Sequence, residues 1–509
     1  MTSAPYAERA RAWVRQAPPL GPTVLATIAV LGAGAYAFAI VRVQGDPIVL
    51  LPLAAAIVVL AIWAQPVIGL YVVFAGAILL EQFVLLGVSP ITQTKFFVNI
   101  NAYSPIPIRL SIADLLMLLA GAAFLVRRHA RERLRIGALG LAVLGYLGAF
   151  LLGTVIGAAR GGVWNTEVAL AELKAPMQLG MAYFLTANLV RDRGQLAVFV
   201  WLFVLGSAVK AFQTILNHQA ASDLPYDLRT IIAHEDVIFI GAAIMLALVA
   251  LLLGHRSRLV VTLLALQPLF LIAELLAYRR VAFIALGVMF LAVVLMAAFT
   301  RPRRTAVLVA IVTVGLGLYL VSFWDATGPA AEPLRALRSV VDASSTNLED
   351  QASSAWRDVE HQNIAYTIRQ LPITGVGVGQ RYLIEREPTE NSFIYWRYIT
   401  HDAVLWLWLK AGAFGAFALW FLVTRAVLLG TSLFRRVQEP SLRWYVTLPV
   451  LLVLAQVVFS SVDLGLTYSR TMIVLGASLG LAAFVAEEHA RSSATGASQQ
   501  RDGCALNTP

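Results

Sequence analysis

Two adjacent polar residues, His401 and Asp402, open the stretch YITHDAVLWLWLKAGAFGAF (398–417), which is otherwise apolar enough to lie in lipid. A neutral imidazole with an ordinary pKa near 6.5 can take a proton close to neutral pH, which suits a general base that activates a hydroxyl. Histidine at a helix start also serves as a cap or a head-group contact. Asp402 is well suited to capping the helix that follows. A second candidate is the pair Arg279 and Arg280, set between the apolar runs LFLIAELLAY and VAFIALGVMFLAVVL. Two guanidiniums at a helix N-terminus, with its free N–H groups and partial positive charge, can hold phosphate oxygens. The alternative for them is snorkelling to lipid head groups. Lys174, in VALAELKAPMQLGMAYFL, stands at the mouth of another apolar run, where Glu172 or Glu167 could pair with it. His218, His234 and His361 have no second ligand at a metal-binding spacing and there is no DxD pair, so no metal site is expected. Glu81, Asp114, Lys210, Glu274, Lys410 and Arg425 fall within or near apolar runs, where pairing between helices is the default and an ion path the alternative.

The elements that position these groups follow from composition. The 509 residues are 59% hydrophobic and 13% charged, with a mean hydropathy of +0.75. A soluble domain has about 25% charged residues, so the chain is expected to be an all-α polytopic membrane protein. Runs long enough to cross about 30 Å of hydrocarbon fall at 22–41, 47–64, 67–88, 109–126, 136–158, 173–190, 195–215, 236–254, 259–277, 281–300, 305–323, 403–428, 445–462 and 470–487, about fourteen helices. The division expected is a cytoplasmic N-terminus (1–21), a bundle (22–323), an outer loop domain (324–402), a second bundle (403–487) and an unstructured cytoplasmic tail (488–509). The Arg-bearing start reads as a retained anchor rather than a cleaved signal. Arg127, Arg128, Arg131, Arg133 and Arg135, Arg191 and Arg193, Arg256 and Arg258, Arg301, Arg303 and Arg304, and Arg435, Arg436 and Arg443 all fall on one side of this topology, which makes that side cytoplasmic. They also account for the net charge of +10, which therefore does not point to nucleic acid. The outer loop contains two amphipathic stretches, EPLRALRSVV and SAWRDVEHQNIAYTIRQ, and the turn PITGVGVGQRY. Cys504 is the one cysteine, so no disulfide supports the fold. No internal repeat of the kind found in many secondary transporters is visible.

Residues from about 260 to 420 resemble the O-antigen ligase and O-antigen polymerase family of bacterial envelope proteins. AYRRVAFIAL resembles the family's Arg-containing motif at the outer start of a helix. WRDVEHQNIAYTIRQLPITGVGVGQ resembles its loop segment of Arg, helix, Pro and Gly-rich turn. HDAVLWLWLKAGAFGAF resembles its His-Asn or His-Asp motif, and ELKAPMQLGMAYFLTANLVRDRGQL its upstream helix with a basic outer end. The resemblance implies a GT-C-like bundle in a bacterial inner membrane, acting at the periplasmic face without a metal or cofactor. Such an enzyme moves a glycan from an undecaprenyl-diphosphate-linked donor to a hydroxyl of a lipid or glycan acceptor. It makes His401 the base, Arg280 with Arg279 beside it the diphosphate ligands, and Lys174 and Arg381 further basic contacts, with Asp402 a substrate-binding residue. Arg279 and Val281 stand where a Ser and a small residue are frequent in the family, so which arginine is the motif residue stays open. Ligase and polymerase, sugar and linkage, and oligomeric state are not distinguished. Two other classes fit the layout. A transporter or flippase of lipid-linked glycans would bring more polar residues deep in the spans and discontinuous helices, and a non-catalytic scaffold would need neither His401 nor Arg280.

Overall fold

A computed structural model of the chain describes residues 42, 50–81, 94–128, 133–222, 224, 231–324, 326, 328–331, 333–335, 338, 348–388 and 395–505. Among these residues every regular element is a helix, as backbone in hydrocarbon must satisfy its own hydrogen bonds. The order is α1 (Leu50–Ala64), α2 (Pro66–Leu79), α3 (Ile112–Arg127), α4 (Gly140–Arg160), α5 (Thr166–Leu189), α6 (Arg193–Ser222), α7 (His234–Leu253) and α8 (Arg258–Ala265). It continues with α9 (Gln267–Leu276), α10 (Arg280–Ala298), α11 (Pro302–Phe323), α12 (Leu348–Gln370), α13 (Ala403–Arg436), α14 (Pro440–Ser460) and α15 (Ser469–Ala505). The chain forms two compact units, residues 1–61 and 62–509, and all of the site described below lies in the second.

The protein is a polytopic helical membrane protein. Among the described residues eight helices, α4, α6, α7, α10, α11, α13, α14 and α15, are long and apolar enough to cross a membrane, or nine with the bent pair α8–α9. That pair replaces the single span expected at 259–277 and bends by 43°. Pro268, in the first turn of α9, is the physical reason, since its ring cannot donate to the helix and crowds the carbonyl four residues back. The runs expected at 47–64, 67–88, 109–126 and 173–190 appear as α1, α2, α3 and α5, while 22–41 lies outside the described residues, as does most of EPLRALRSVV. The second amphipathic stretch is α12. The tail expected to be unstructured is instead helical as far as Ala505, continuing α15. An i,i+4 pair between Glu487 and Arg491 (3.2 Å) supports the turn at which α15 enters this stretch.

The arginine-bearing helix ends gather at one end of the bundle. Arg193 at the start of α6 pairs with Glu439 before α14 and with Glu488 of α15 (2.5 Å to the latter), and Arg135 reaches Glu487 (3.7 Å). Arg304 donates to the Leu252 carbonyl at the end of α7 (3.1 Å), and Arg435 at the end of α13 stacks on Phe299 at the end of α10 (4.9 Å). This common end is the arginine face of the bundle.

The glycine-rich turn is not a surface feature. It enters a break in α13. At Gly412 the backbone leaves helical geometry (φ 64, ψ −157), which frees the carbonyls of Leu409 and Lys410. Val376 and Gly377 donate their amides to these carbonyls (2.7 and 3.0 Å), and Ala413 donates to Pro372 (2.9 Å). The turn thus replaces the hydrogen bonds that the break removes, as irregular backbone at membrane depth requires. Its other side lies on α4, where Val378 donates to Gly153 (2.9 Å) and the Gln380 side chain donates to Gly157 and Gly161 (2.8 and 2.7 Å). A fully buried ion pair between Lys410 and Glu172 (2.8 Å) sits beneath. Glu172 accepts from Gly379 N–H (2.6 Å) and Lys410 donates to Gln380 O (2.6 Å).

Gly377 has φ +102, and a Cβ there would stand 2.2 Å from Gly157 Cα. Gly377→Ala is expected to destabilise the protein by about 3 kcal/mol, combining overpacking with left-handed strain. Gly287→Ala is the control, since nothing lies within 4 Å of its added methyl. Thermal unfolding in detergent checks this, and equal midpoints for the two variants would show that the turn is not seated on α4.

Candidate active site

The end of the bundle away from the arginine face carries a set of polar groups from five segments. The N-terminus of α13 provides His401 and Asp402, α12 provides Trp356, Arg357, Glu360 and His361, and the α9–α10 turn provides Arg279. The N-terminus of α7 provides His234 and Glu235, and the α14–α15 connection provides Asp463 and Tyr468.

His401 and Asp402 meet α12 as two crossed acid–histidine pairs. His401 Nδ1 lies 3.3 Å from Glu360 Oε1, and its backbone N–H donates to Glu360 Oε2 (3.1 Å). Asp402 Oδ2 lies 3.2 Å from His361 Nε2, while Oδ1 accepts from Leu405 N–H (2.9 Å) and caps α13. Asp402 is therefore a cap, as its type suggested, and also the partner of a second histidine. Glu360 is buried at 2% exposure and grips both the ring and the backbone of His401, while Trp356 stands edge-on to the imidazole at 4.9 Å. A carboxylate at Nδ1 sets the tautomer that leaves Nε2 as the basic nitrogen, the arrangement a general base requires. The hydrogen bond to Asp402 also raises the His361 imidazole above its ordinary value.

Asp463 ties this pair to the arginine turn. Its Oδ2 meets His234 Nδ1 at 2.8 Å, and its Oδ1 accepts from Leu464 N–H (2.7 Å) and Tyr468 OH (3.1 Å). Burial alone would raise the Asp463 carboxyl, but the hydrogen bond and charge of His234, with His401 adding to them, hold it well below the usual carboxylate range. Arg279 lies in the field of the same Asp463 and of Tyr468, Glu235 and Arg357. Its Nη2 donates to Ile232 O (3.2 Å), and its Nε is buried without a hydrogen-bond partner. Burial lowers this guanidinium, which the surrounding anions oppose, and it stays cationic. The preceding Tyr278 has φ 51, the one positive value at a non-glycine among the described residues, so the turn that presents Arg279 is strained. Arg280 is the first residue of α10 and is half-buried. Arg279, Arg280 and His401 thus share one end of the bundle, with Asp463 in the field of both His401 and Arg279.

The remaining expected residues are placed differently. Lys174 is engaged by Phe97 O and Asn99 Oδ1 (both 2.7 Å) and lies 3.6 Å from Asp114, so its ammonium serves to hold the segment before α3. It pairs with neither acid suggested by its sequence neighbourhood. Residues 172 and 174, two apart on a helix, do not face each other. Glu172 goes to Lys410 (2.8 Å) and Glu167 to Arg109 (3.3 Å). Arg381 is exposed between α12 and α13, with Nε donating to Tyr398 OH (3.1 Å). Sequence reasoning passed over Glu360, Asp463 and Tyr468 and weighed His234 and His361 only as metal ligands. The available signal was the dipeptide Glu360-His361, the reverse of His401-Asp402.

Glu235 and Asp236, which follow His234, belong to a buried charge cluster. Arg470 binds Glu81 (2.9 Å) and Asp236 (2.5 Å) and lies 3.8 Å from Glu235. Lys210 pairs with Glu81 and with Asp236 (3.2 Å to the latter). No protein-family model matches this sequence, and no curated protein aligns with it significantly.

Proposed function

We propose that the protein is a polyprenyl-diphosphate-dependent glycosyltransferase of the O-antigen ligase or polysaccharide polymerase type, with its site on the periplasmic side of a bacterial inner membrane. The observation that carries this reading is that the Glu360–His401 pair, Asp463 and Arg279 gather at the end of the bundle opposite the arginine face, with Asp463 in the field of both His401 and Arg279. Taking α2, α3, α5 and the bent pair as spans beside the eight long apolar helices supports a count near the fourteen expected from hydropathy.

In this reading His401 takes the proton of the acceptor hydroxyl through Nε2, and Glu360 stabilises the imidazolium that results. The acceptor oxygen forms a bond to the anomeric carbon as the bond to the donor's diphosphate breaks. The charge that develops on the departing diphosphate is met by Arg279, Arg280 and the N-terminus of α10. Arginine suits this work because its planar fork binds phosphate oxygens in pairs, and the unsatisfied Nε of Arg279 offers a donor. The lipid tail stays in the bilayer while α12 and its flanking loop cover the glycan side.

The test is direct. Purified protein in nanodiscs, supplied with an undecaprenyl-diphosphate glycan and candidate acceptors, is expected to yield a product whose mass is that of free glycan plus acceptor less one water, with release of undecaprenyl diphosphate. Failure to form that product with any lipid or glycan acceptor overturns the reading.

Two observations favour a transporter of lipid-linked glycans as the second reading. They are the break in α13 at Gly412 and the buried cluster around Arg470. In the first, the Gly-rich turn satisfies the broken backbone, and in the second the ions are paired with one another, so both also suit a rigid scaffold. Proteoliposomes separate the readings, because a transporter moves the donor between leaflets without forming a new glycosidic bond.

A further inference from the structure

A groove at the arginine face lies between α10, α13 and α14, with a volume of about 770 Å3. Leu291 and Leu295 of α10, Leu428 of α13 and Leu454 of α14 form its walls, and Arg435 and Arg436 stand at its mouth beside Thr431 and Ser432. None of its lining residues is acidic. The walls are open to lipid, since Leu291 and Leu295 are each 56% exposed. Arg435 is held over the mouth by stacking on Phe299.

We propose that this groove binds one anionic phospholipid, its phosphate on Arg435 and Arg436 and its acyl chains along the leucines. Two features select that occupant. The first is charge, since two adjacent guanidiniums without a neighbouring carboxylate in the lining attract a phosphate headgroup rather than a zwitterion. The second is depth. Along α10 the groove runs from Val288 to Phe299, which at 1.5 Å per residue is roughly 16 Å. That length matches one leaflet of a hydrocarbon core about 30 Å thick. A phospholipid fills one leaflet, whereas a long polyprenyl chain would overrun the groove. The groove also opens at the end of the bundle opposite His401 and Arg279, so the inference does not depend on the catalytic reading.

The experiment compares lipids retained after purification from nanodiscs holding equal amounts of palmitoyl-oleoyl phosphatidylglycerol, palmitoyl-oleoyl phosphatidylcholine and undecaprenyl monophosphate, counted by native mass spectrometry. The wild-type protein is expected to retain phosphatidylglycerol about thirty-fold over phosphatidylcholine, the factor that two basic residues supply at a charged lipid surface. Arg435→Gln with Arg436→Gln is expected to remove that preference, and Leu295→Trp, which fills the groove without changing charge, to lower retention of all bound lipid. Arg303→Gln, on the same face but outside the groove, should leave retention unchanged. Equal retention of the two phospholipids by wild type, a preference for undecaprenyl monophosphate, or retention that survives both the double variant and Leu295→Trp overturns the proposal.

Discussion

His401→Ala is expected to lower glycan transfer by about 10²- to 10⁴-fold, the range that a positioned general base contributes, while the lipid-linked donor remains present and accessible. The size follows from the geometry around the ring. Glu360 binds both the Nδ1 side of the imidazole and the His401 amide, and Trp356 fixes the ring edge-on, so a base at this position is held by three contacts. In the proposed reaction, removing the ring removes the proton acceptor but not the arginine turn assigned to the leaving group. Glu360→Gln keeps the shape and loses the charge that stabilises an imidazolium, so its loss is expected to be smaller than that of His401→Ala and larger than that of Arg381→Gln. Transfer is measured by product mass with the donor supplied in excess. Two controls separate chemistry from collapse, namely an unchanged elution profile in detergent and unchanged binding of the lipid donor. A His401→Ala protein that forms product at the wild-type rate removes the base from the mechanism, and one that also stops moving the donor between leaflets supports transport instead.

Arg470→Ala is expected to destabilise the protein by about 3–5 kcal/mol, the cost of breaking a buried ion pair from one side. Arg470 is fully buried and donates to Ala77 O, Ile78 O and Glu81 (each 2.9 Å) and to Asp236 (2.5 Å). Without it, Glu81, Glu235 and Asp236 keep only Lys210 as a buried counter-charge among the contacts of this cluster. Arg470→Lys preserves the charge but has three donors on one atom instead of a five-donor fork, so it cannot serve two carbonyls and two carboxylates together, and an intermediate loss is expected. The readout is the thermal midpoint of the purified protein, with the fraction still monodisperse after heating as a second measure. An Arg470→Ala protein within about 0.5 kcal/mol of wild type, the range of an ordinary surface substitution, would mean that the cluster is hydrated rather than dry. The position matters for function too. His234 faces Asp463 in the candidate site while the next two residues of α7 face Arg470, so this cluster anchors the helix end on which the site is built.

Some of this architecture was legible in particular residues. The apolar runs marked α4, α7, α10, α11 and α14 to within about five residues and the starts of α6, α13 and α15, and the arginines at their ends gather at one end of the bundle. The tight Arg279–Arg280 turn and the capping role of Asp402 were also visible. The misreadings have identifiable causes. The Pro268 bend divides what hydropathy reads as one span, because an average over a window is blind to a single missing N–H. The helix continuing to Ala505 was hidden by polar composition, which argues about burial rather than about helix propensity.

By itself the sequence determined that this is a helical membrane protein, where most of its spans lie and which of their ends carry arginine. These are sums over neighbouring residues, and lipid imposes them locally. Only the tertiary structure decided which charges meet. Glu360 reaches His401 across 41 positions, Arg470 reaches Glu81 across 389, and Lys174 is drawn to Asp114 instead of the acids beside it. Partnerships at such separations depend on how helices pack, because a buried charge takes whichever counter-charge the packing brings within a few ångströms, and spacing along the chain carries no record of that choice.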